Sequence, residues 1–251
     1  MLEVKNLSMR FGGLLAVDQV SVDVQEHEIV SIIGPNGAGK TTVFNCISGF
    51  YKPTGGQILF EGKEIQGKPD YRISRMGMVR TFQHVRLFGN MTVVENLLVA
   101  QHRHVNTNLL AGLLKTPDYR AREKRSLDRA RYWLNRVGLL DMANREAGNL
   151  AYGQQRRLEI ARCMVTEPKL LMLDEPAAGL NPAETRELDQ LIVSLKEDYH
   201  VSVLLIEHDM SLVMGISDRI NVISQGRPLA SGKPEEIRQN DDVIKAYLGE
   251  A

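Results

Sequence analysis

The chain has 251 residues, of which 43% are hydrophobic and 25% are charged, and its 31 basic side chains are balanced by 31 acidic ones. This composition is typical of a globular protein with a sizeable core, and the zero formal net charge argues against a dedicated nucleic-acid binder, which carries a basic excess. The apolar piece that most resembles a membrane span, "NLLAGLL" at 108–114, is far shorter than the ~20 apolar residues that such a span requires.

The first third of the chain predicts strands of two kinds. Residues 1 to about 30 alternate apolar and polar side chains, which is the period-two pattern of half-buried antiparallel strands. "EIVSIIG", at 28–34, is a continuous apolar run, as expected of a strand that is covered on both faces. A helical pattern follows from Thr42 to Gly49, and "GGQILFEGKEI" predicts a further hairpin.

The middle of the chain, from about 92 to 147, predicts helices throughout. "VVENLLVAQH" and "LDRARYWLNRVGLL" carry apolar residues at helical spacing, and 106–118 between them predicts a loop or a short connecting helix. "LAYGQQRRLEIARCMV", at 150–165, predicts another helix, which starts without an obvious N-cap residue. Cys163 in this helix and Cys46 in the earlier one predict buried free thiols rather than a disulfide or a metal site.

The last third returns to buried strands. "LLML" before Asp174 and "VSVLLIE" at 201–207 are apolar runs, and a predicted helix near 183–197 separates them. "RINVISQGRPLASG" predicts a hairpin that turns at 225–226, and Pro234 suits the first turn of a C-terminal helix. The order of elements predicts an α/β fold with a parallel core sheet, an N-terminal antiparallel β layer and an α-helical insertion.

The stretch "GPNGAGKTT", at 34–42, fits the phosphate-loop pattern G-x-x-x-x-G-K-[ST] and lies between a predicted buried strand and a predicted helix. Its backbone N–H groups and the helix N-terminus are predicted to face phosphate oxygens. Lys40 is predicted to supply a charge for the β- and γ-phosphates, and the Thr41 hydroxyl to act as a Mg²⁺ ligand. The residues predicted to bind the phosphates are Gly34, Asn36, Gly37, Ala38, Gly39, Lys40, Thr41 and Thr42. A purely structural glycine turn is the alternative, and the flanking strand and helix argue against it.

An acidic pair follows the predicted strand "LLML". Asp174 emerges at the carboxyl end of the strand, where open α/β sheets bind ligands, and is predicted to hold Mg²⁺. Glu175 is placed to act as the base, or to orient the water, in hydrolysis. Such a pair is ordinarily a solvated strand end, and the phosphate loop is what favours the functional interpretation. The two motifs predict a P-loop NTPase and leave many of its families open.

Further motifs resemble those of the ABC transporter ATPases, in that family's order along the chain. "LAYGQ" at 150–154 resembles the LSGGQ signature. "RTFQ" matches the family's Q-loop, "AAGLN" its D-loop and "LLIEHD" its switch-histidine loop. The resemblance covers essentially the whole chain. It implies one nucleotide-binding domain over 1–251, with a helical subdomain at about 84–165.

The resemblance also implies the remaining site residues. The implied catalytic residues are Gln83, Glu175 and His208, and the implied Mg²⁺ ligands are Thr41, Gln83 and Asp174. The residues implied to contact ATP outside the phosphate loop are Phe11, which would stack on adenine, and Ala151, Tyr152, Gly153, Gln154 and Asn181. Taken singly, Phe11 is equally compatible with a core position, and Gln83 and His208 with hydrogen-bonded polar residues at strand ends. Their occurrence together with the phosphate loop and the signature favours the functional interpretation.

Longer stretches, such as "RFGGLLAVDQVS" and "VRTFQHVRLFGNMTVVENLLVAQH", resemble the ATP-binding subunits of bacterial high-affinity branched-chain amino-acid importers, and specifically the first of that system's two ATPase subunits. The resemblance implies ATP and Mg²⁺ as cofactors and no nucleic acid. The implied partners are a second ATPase subunit, two transmembrane permeases and, indirectly, a periplasmic binding protein. The implied location is peripheral, on the cytoplasmic side of the inner membrane. "HVRLFGNM" is predicted to expose Leu87 and Phe88 for a permease, with core positions as the alternative.

Other functions stay open at this point. An ATPase of an ABC system for urea or other amides, or for lipopolysaccharide export, would carry the same motifs. A soluble ABC ATPase that acts on nucleic acid or the ribosome is disfavoured by the single cassette and the zero net charge. A binding module without turnover is disfavoured by Glu175.

The sequence departs from the family's pattern at three positions. Ala151 replaces the signature serine and removes its hydroxyl, Tyr152 replaces a glycine, and Asn181 replaces the D-loop aspartate. The phosphate loop and the acidic pair are intact. We therefore expect a competent phosphate loop in this chain, an altered signature offered to its partner, and two unequal ATP sites in a heterodimer.

Overall fold

The structure, a computed structural model, describes residues 1–101 and 116–248. These residues form two compact units, one made of Met1–Gln83 with Lys169–Ala251 and the other of His84–Pro168. The segment predicted as a helical subdomain, at about 84–165, falls within the second unit. The apolar piece at 108–114 and most of the predicted loop at 106–118 lie outside the described residues.

The strands of the first unit form two sheets. They are β1 (Leu2–Phe11), β2 (Leu14–Val24), β3 (Ile29–Ile33), β4 (Gly55–Phe60), β5 (Lys63–Glu64), β6 (Met78–Arg80), β7 (Leu170–Asp174), β8 (Ser202–Ile206), β9 (Arg219–Ser224) and β10 (Arg227–Gly232). One sheet has the order β2-β1-β4-β5 with antiparallel neighbours. The other has the order β10-β9-β3-β8-β7-β6.

The six-stranded sheet is the predicted core, with β9, β3, β8, β7 and β6 parallel and β10 antiparallel at one edge. Strands β3, β7 and β8 are buried along their whole length, which explains their continuous apolar runs. In the register, Asp174 lies opposite Ile206, so the residues that follow β7 and β8 emerge at the same edge of the sheet. The predicted α/β fold is confirmed.

Nine helices are described. They are α1 (Lys40–Ile47), α2 (Asp70–Arg75), α3 (Val93–Ala100), α4 (Pro117–Arg136), α5 (Tyr152–Met164), α6 (Pro182–Glu197), α7 (Met210–Ile216), α8 (Pro234–Arg238) and α9 (Asp241–Leu248). Within the described residues, none of them combines the length and the apolar character that crossing a lipid bilayer requires.

The second unit contains α3, α4 and α5. The prediction that residues 92–147 are helical throughout is wrong near the end of this range. Gly138 adopts a left-handed φ of +67° and stops α4. Beyond it lie single 3-10 turns at Leu140–Met142 and Ala147–Asn149, and Glu146 pairs with Thr92 as an isolated bridge.

Both cysteines lie inside helices, Cys46 in α1 and Cys163 in α5, and both are buried free thiols, as predicted. Burial raises the pKa of Cys46 to about 11. Burial, with a smaller effect of the nearby Glu159 carboxylate, raises the pKa of Cys163 to about 12. Both thiols are therefore protonated and unreactive near neutral pH.

Candidate active site

The phosphate loop joins β3 to α1 and folds around its own lysine. The Lys40 ammonium donates to the carbonyls of Gly34 at 2.7 Å and Pro35 at 3.0 Å. Burial lowers the pKa of Lys40, and the charge of Glu175 partly opposes this effect. The loop is therefore folded around a cation, which suits it for an anionic ligand.

Two glycines of this loop are required by their surroundings. At Gly39, with a φ of +97°, an added Cβ would lie 2.8 Å from the carbonyl oxygen of Ala16. At Gly34, with a φ of +152°, it would lie 1.9 Å from the carbonyl oxygen of Ile223 in β9. Helix α1 begins directly after Gly39, and no side chain among the described residues caps it. Its first N–H groups can therefore face an anion.

Asp174 is paired with a buried arginine that sequence analysis missed. Arg80, whose side chain is 8% exposed, places Nη2 at 2.6 Å from Asp174 Oδ2. Its Nη1 donates to Asn45 Oδ1 at 2.7 Å and to Ser48 Oγ at 2.8 Å. The aromatic rings whose centroids lie 5.5–5.6 Å from the guanidinium carbon are those of Phe44, Phe50 and Phe82. Asp174 is therefore held at the strand end by a cation with fixed partners of its own.

Glu175 lies between the two other residues implied as catalytic. Its Oε1 is 2.6 Å from His208 Nε2, and its Oε2 accepts a hydrogen bond of 2.8 Å from Gln83 Nε2. Glu175 has a left-handed φ of +48°, which costs on the order of 1–3 kcal/mol for a residue with a side chain. The carboxylate itself is mostly shielded from solvent. The structure thus brings together three residues that lie far apart in the sequence, Gln83, Glu175 and His208.

A cavity of about 430 Å³ is lined by most of the phosphate loop together with Glu175 and His208, whereas Gln83 and Asp174 do not line it. Its lining comprises Leu14, Leu15, Ala16, Asn36, Gly37, Ala38, Gly39, Lys40, Thr41, Thr42, Glu175, His208, Gln225 and Gly226. A larger, more apolar cavity of about 710 Å³ lies among α7, α8 and α9 and contains none of the predicted site residues. The chemistry of the lining therefore places the candidate active site in the smaller cavity.

Phe11 lies at the end of β1 and is 41% exposed, so it is not a core residue. Its ring meets that of Tyr51 edge to face, with 5.3 Å between the centroids. The apolar wall of the cavity itself comes from Leu14, Leu15 and Ala16. The interpretation of Phe11 as an adenine-stacking residue stays a prediction.

Substitution of Phe11 with Ala is expected to raise the Kd for ATP by roughly ten- to hundredfold, because stacking of a base on an aromatic ring contributes ~1–3 kcal/mol. Fluorescence titration with a labelled ATP analogue measures this change. Tyr71→Ala, which removes another exposed ring, is the control and should leave the Kd unchanged. An unchanged Kd in Phe11→Ala would assign the ring to packing against Tyr51.

The predicted signature forms the start of α5 in the second unit. Ala151 precedes the helix, no side chain among the described residues caps it, and the backbone N–H of Ala151 donates to Gln154 Oε1 at 3.1 Å. Gly153 is buried, whereas Tyr152 is 43% exposed. Within the described residues, the first turn of α5 therefore has N–H groups that no capping side chain binds, as α1 does.

Tyr152 is connected to the segment that follows Gln83. The guanidinium of Arg156 lies 5.2 Å from the centroid of its ring, and Arg156 Nη1 lies 3.5 Å from Glu159 Oε2. Glu159 Oε1 in turn accepts from the backbone N–H of Arg86 at 3.3 Å. Both Arg156 and Glu159 are buried, so these contacts are fixed features of the second unit.

The structure gives local contacts for two other predicted residues, and the role of Asn181 at ATP stays a prediction. Asn181 is the N-cap of α6, where its Oδ1 accepts from the backbone N–H groups of Ala183 and Glu184, so the Oδ1 atom has a structural partner in this chain. Phe88 is exposed as predicted, at 49%, but Leu87 is half-buried. The prediction that both side chains are exposed is therefore wrong for Leu87.

Comparison with known proteins decides the family. The model of the ABC transporter family matches residues 17–178, and a model described as branched-chain amino acid ATP-binding cassette transporter matches residues 227–251. The chain belongs to the ABC transporter family. A high-affinity branched-chain amino acid transport ATP-binding protein, LivG of Salmonella typhimurium, is 67% identical over 251 residues, which cover 100% of this chain and 98% of that protein.

Solved structures of ABC cassettes share the fold. The ADP conformation of an ATP-binding cassette of an ABC transporter has a TM-score of 0.86 at 32% identity, covering 100% of this chain and 99% of that one. A dimeric bacterial ABC transporter cassette has a TM-score of 0.78 at 25% identity, covering 93% of this chain and 99% of that one. The predicted family is confirmed along the full length of this ABC cassette.

Proposed function

We propose that this ABC cassette hydrolyses ATP and thereby powers a membrane importer for branched-chain amino acids. The observation that carries the proposal is the position of Glu175, whose carboxylate contacts His208 and Gln83 and lines the same cavity as Lys40 and Thr41. A carboxylate there can accept a proton from a water that attacks the γ-phosphate. The similarity to LivG over the whole chain supports branched-chain amino acids as the transported substrates.

The residues beside the phosphate loop fit a Mg²⁺ ion. Thr41 and Asp174 offer a hydroxyl and a carboxylate, and Mg²⁺ is commonly held by one or two such oxygen ligands together with substrate phosphates. Arg80 engages Oδ2 of Asp174, so Oδ1 is the atom to assign to the metal. Gln83 donates its amide nitrogen to Glu175, and its carbonyl oxygen is the atom that it can offer. When bound, Mg²⁺ would neutralise charge on the β- and γ-phosphates.

The proposed active unit contains two cassettes arranged head to tail. The N-terminus of α5, around Gly153, would contact the γ-phosphate of the ATP that the partner's phosphate loop holds. The similarity to a dimeric cassette supports this arrangement. Hydrolysis removes the γ-phosphate contacts, and the population then shifts to the open dimer.

We propose a second ATPase subunit and two transmembrane permeases as direct partners, and a periplasmic binding protein as an indirect one. Phe88, exposed in the segment after Gln83, is the apolar side chain proposed to meet a permease. The cassette would thus lie peripherally on the cytoplasmic side of the bacterial inner membrane.

Transport by the reconstituted complex tests the proposed function. Vesicles that contain both permeases and both ATPase subunits, with ATP on the cassette side and binding protein on the other, should accumulate radiolabelled leucine. The same vesicles with Glu175→Gln in this chain should assemble the complex and lose most of the uptake. ATP-dependent accumulation of urea without that of leucine would overturn the substrate assignment.

Ala151→Ser is expected to speed hydrolysis at the partner's ATP site, because a hydrogen bond from a hydroxyl to a charged phosphate contributes about 1.5–3 kcal/mol. The measurement is phosphate release by the heterodimer, with Glu175→Gln in this chain to silence its own site. Ala121→Ser, at an exposed position of α4, is the control. If Ala151→Ser leaves the rate unchanged, the missing hydroxyl is already compensated, and the expectation of unequal sites loses its basis.

A further inference from the structure

Strand β8 leads into a buried carboxylate that the hydrolysis scheme above does not use. Glu207 is 3% exposed. Its Oε1 accepts from the backbone N–H of Ala177 at 2.7 Å, and its Oε2 accepts from the backbone N–H of His208 at 2.9 Å. The backbone N–H of Asp209 is a further donor to it. One carboxylate thus binds the main chain of two separate loops, the one after β7 and the one after β8.

These two loops carry the candidate base and its histidine partner. Ala177 lies two residues after Glu175, in a turn that is closed by a hydrogen bond of 3.2 Å from the N–H of Ala178 to the carbonyl of Glu175. On the other side, the N–H of Glu175 donates to the carbonyl of Ile206 at 2.9 Å. The backbone at Glu175 is therefore fixed by two consecutive residues, since Ile206 at the end of β8 binds Glu175 itself and Glu207 binds the turn that follows it.

The contacts close into a ring. The carboxylate of Glu207 holds the backbone of His208, the ring of His208 contacts the carboxylate of Glu175, and the turn after Glu175 returns to Glu207. The left-handed φ of Glu175 is unfavourable for a residue with a side chain and persists only where its surroundings over-determine it. Glu207 supplies one of those constraints directly at the turn.

We propose that Glu207 is a positioning residue for ATP hydrolysis, which ties the turn after Glu175 to the start of the His208 loop so that the two side chains stay in contact. This proposal rests on the proposed role of Glu175 as the base. Glu207 does not reach the reacting water itself, since it is buried and both of its oxygens already accept backbone N–H groups.

Opposing effects act on the charge of Glu207. Burial raises the pKa of Glu207, with a small further contribution from the charge of Glu175, and the three backbone N–H groups act in the opposite direction. A carboxylate offers an acceptor to each loop, whereas an amide of nearly the same size offers one oxygen and one NH₂ group. Glu207→Gln would therefore leave one of the two loops facing a donor instead of an acceptor.

The test measures the steady-state rate of ATP hydrolysis and the Kd for ATP in the full chain with Glu207→Gln. The same measurements are made on Glu175→Gln and on the double variant. We expect kcat for ATP hydrolysis to fall by about 10- to 100-fold, the range for losing one hydrogen bond to a charged group, while the Kd for ATP changes less than twofold. In the Glu175→Gln background, the second substitution should cause no further loss, because the two residues act as a unit.

Asp218→Asn is the matched control. Asp218 also accepts a backbone N–H, that of Ile29 at 2.8 Å, and it binds the ammonium of Lys196, but it precedes β9 and lines no part of the active-site cavity. The variant Asp218→Asn should lower the urea concentration at the midpoint of unfolding without lowering kcat for ATP hydrolysis. If Glu207→Gln does not fold, Glu207→Asp, which keeps the charge and shortens the reach, receives the same measurements.

Two results would overturn the proposal. One is a kcat that stays within twofold of the parent in a folded Glu207 variant when Glu175→Gln is inactive. The other is a loss of kcat matched by an equal loss of ATP affinity, which would mean a general disturbance of the cavity. Parental activity in Glu175→Gln would instead remove the base assignment on which the proposal rests, and the two failures are thereby distinguished.

Discussion

Glu175→Gln is expected to lower kcat for ATP hydrolysis by about 10²–10⁴-fold, the usual contribution of a positioned base. The amide preserves the size of the side chain and can still contact His208 and Gln83, so the affinity for ATP should stay within about twofold. Bound ATP would then persist, and the closed dimer should accumulate. Phosphate release measures the first effect, and size-exclusion chromatography with and without ATP measures the second.

Glu26→Gln, at an exposed glutamate of the same unit, is the control for the removal of one negative charge. It should leave both turnover and dimer formation unchanged. Turnover at the parental rate in Glu175→Gln would mean that another group activates the water, in spite of the contacts at 2.6 and 2.8 Å that surround the carboxylate.

Arg80→Met is expected to lower the free energy of unfolding by about 3–5 kcal/mol, the range for removing one partner of a buried ion pair. Asp174 would be left as a buried carboxylate without its cation, and Asn45 and Ser48 would each lose a donor. Urea unfolding followed by circular dichroism measures the change. Addition of Asp174→Asn to Arg80→Met should recover part of the loss, because the uncompensated charge is then removed.

Arg227→Met is the control, since Arg227 pairs with Asp18 at 2.9 Å and most of its side chain lies in solvent. An exposed pair contributes ~0–1 kcal/mol, so this variant should unfold close to the parent. A loss below ~1 kcal/mol in Arg80→Met would contradict the importance of the buried pair, because the loss would then match that of an exposed pair.

The core sheet could be predicted from sequence because burial on both faces leaves apolar runs that are visible in the chain, as in β3, β7 and β8. Strand β6 could not, since it has three residues and exists through its pairing with β7. The stop of α4 was missed because one glycine, Gly138, outweighed a continuing apolar pattern.

In the candidate site too, some residues could be identified from the sequence and others could not. Lys40, Asp174 and Glu175 could be identified because each lies in a short motif with fixed spacing. Arg80 and Glu207 could not, since their roles come from partners far along the chain: Asp174 is 94 residues from Arg80, and Ala177 is 30 residues from Glu207. Backbone N–H groups, which Glu207 binds, leave no mark in a sequence at all.

The two buried thiols make the chain suitable for spectroscopy without removal of native residues. Cys46 and Cys163 are both protonated and shielded inside helices, so maleimide or methanethiosulfonate reagents should not modify them in the folded chain. A single cysteine introduced at the exposed Tyr152 would then carry the only label of this chain. Pulsed electron resonance or fluorescence energy transfer between that position and a second label on the partner subunit could follow the opening and closing of the dimer through one ATP cycle.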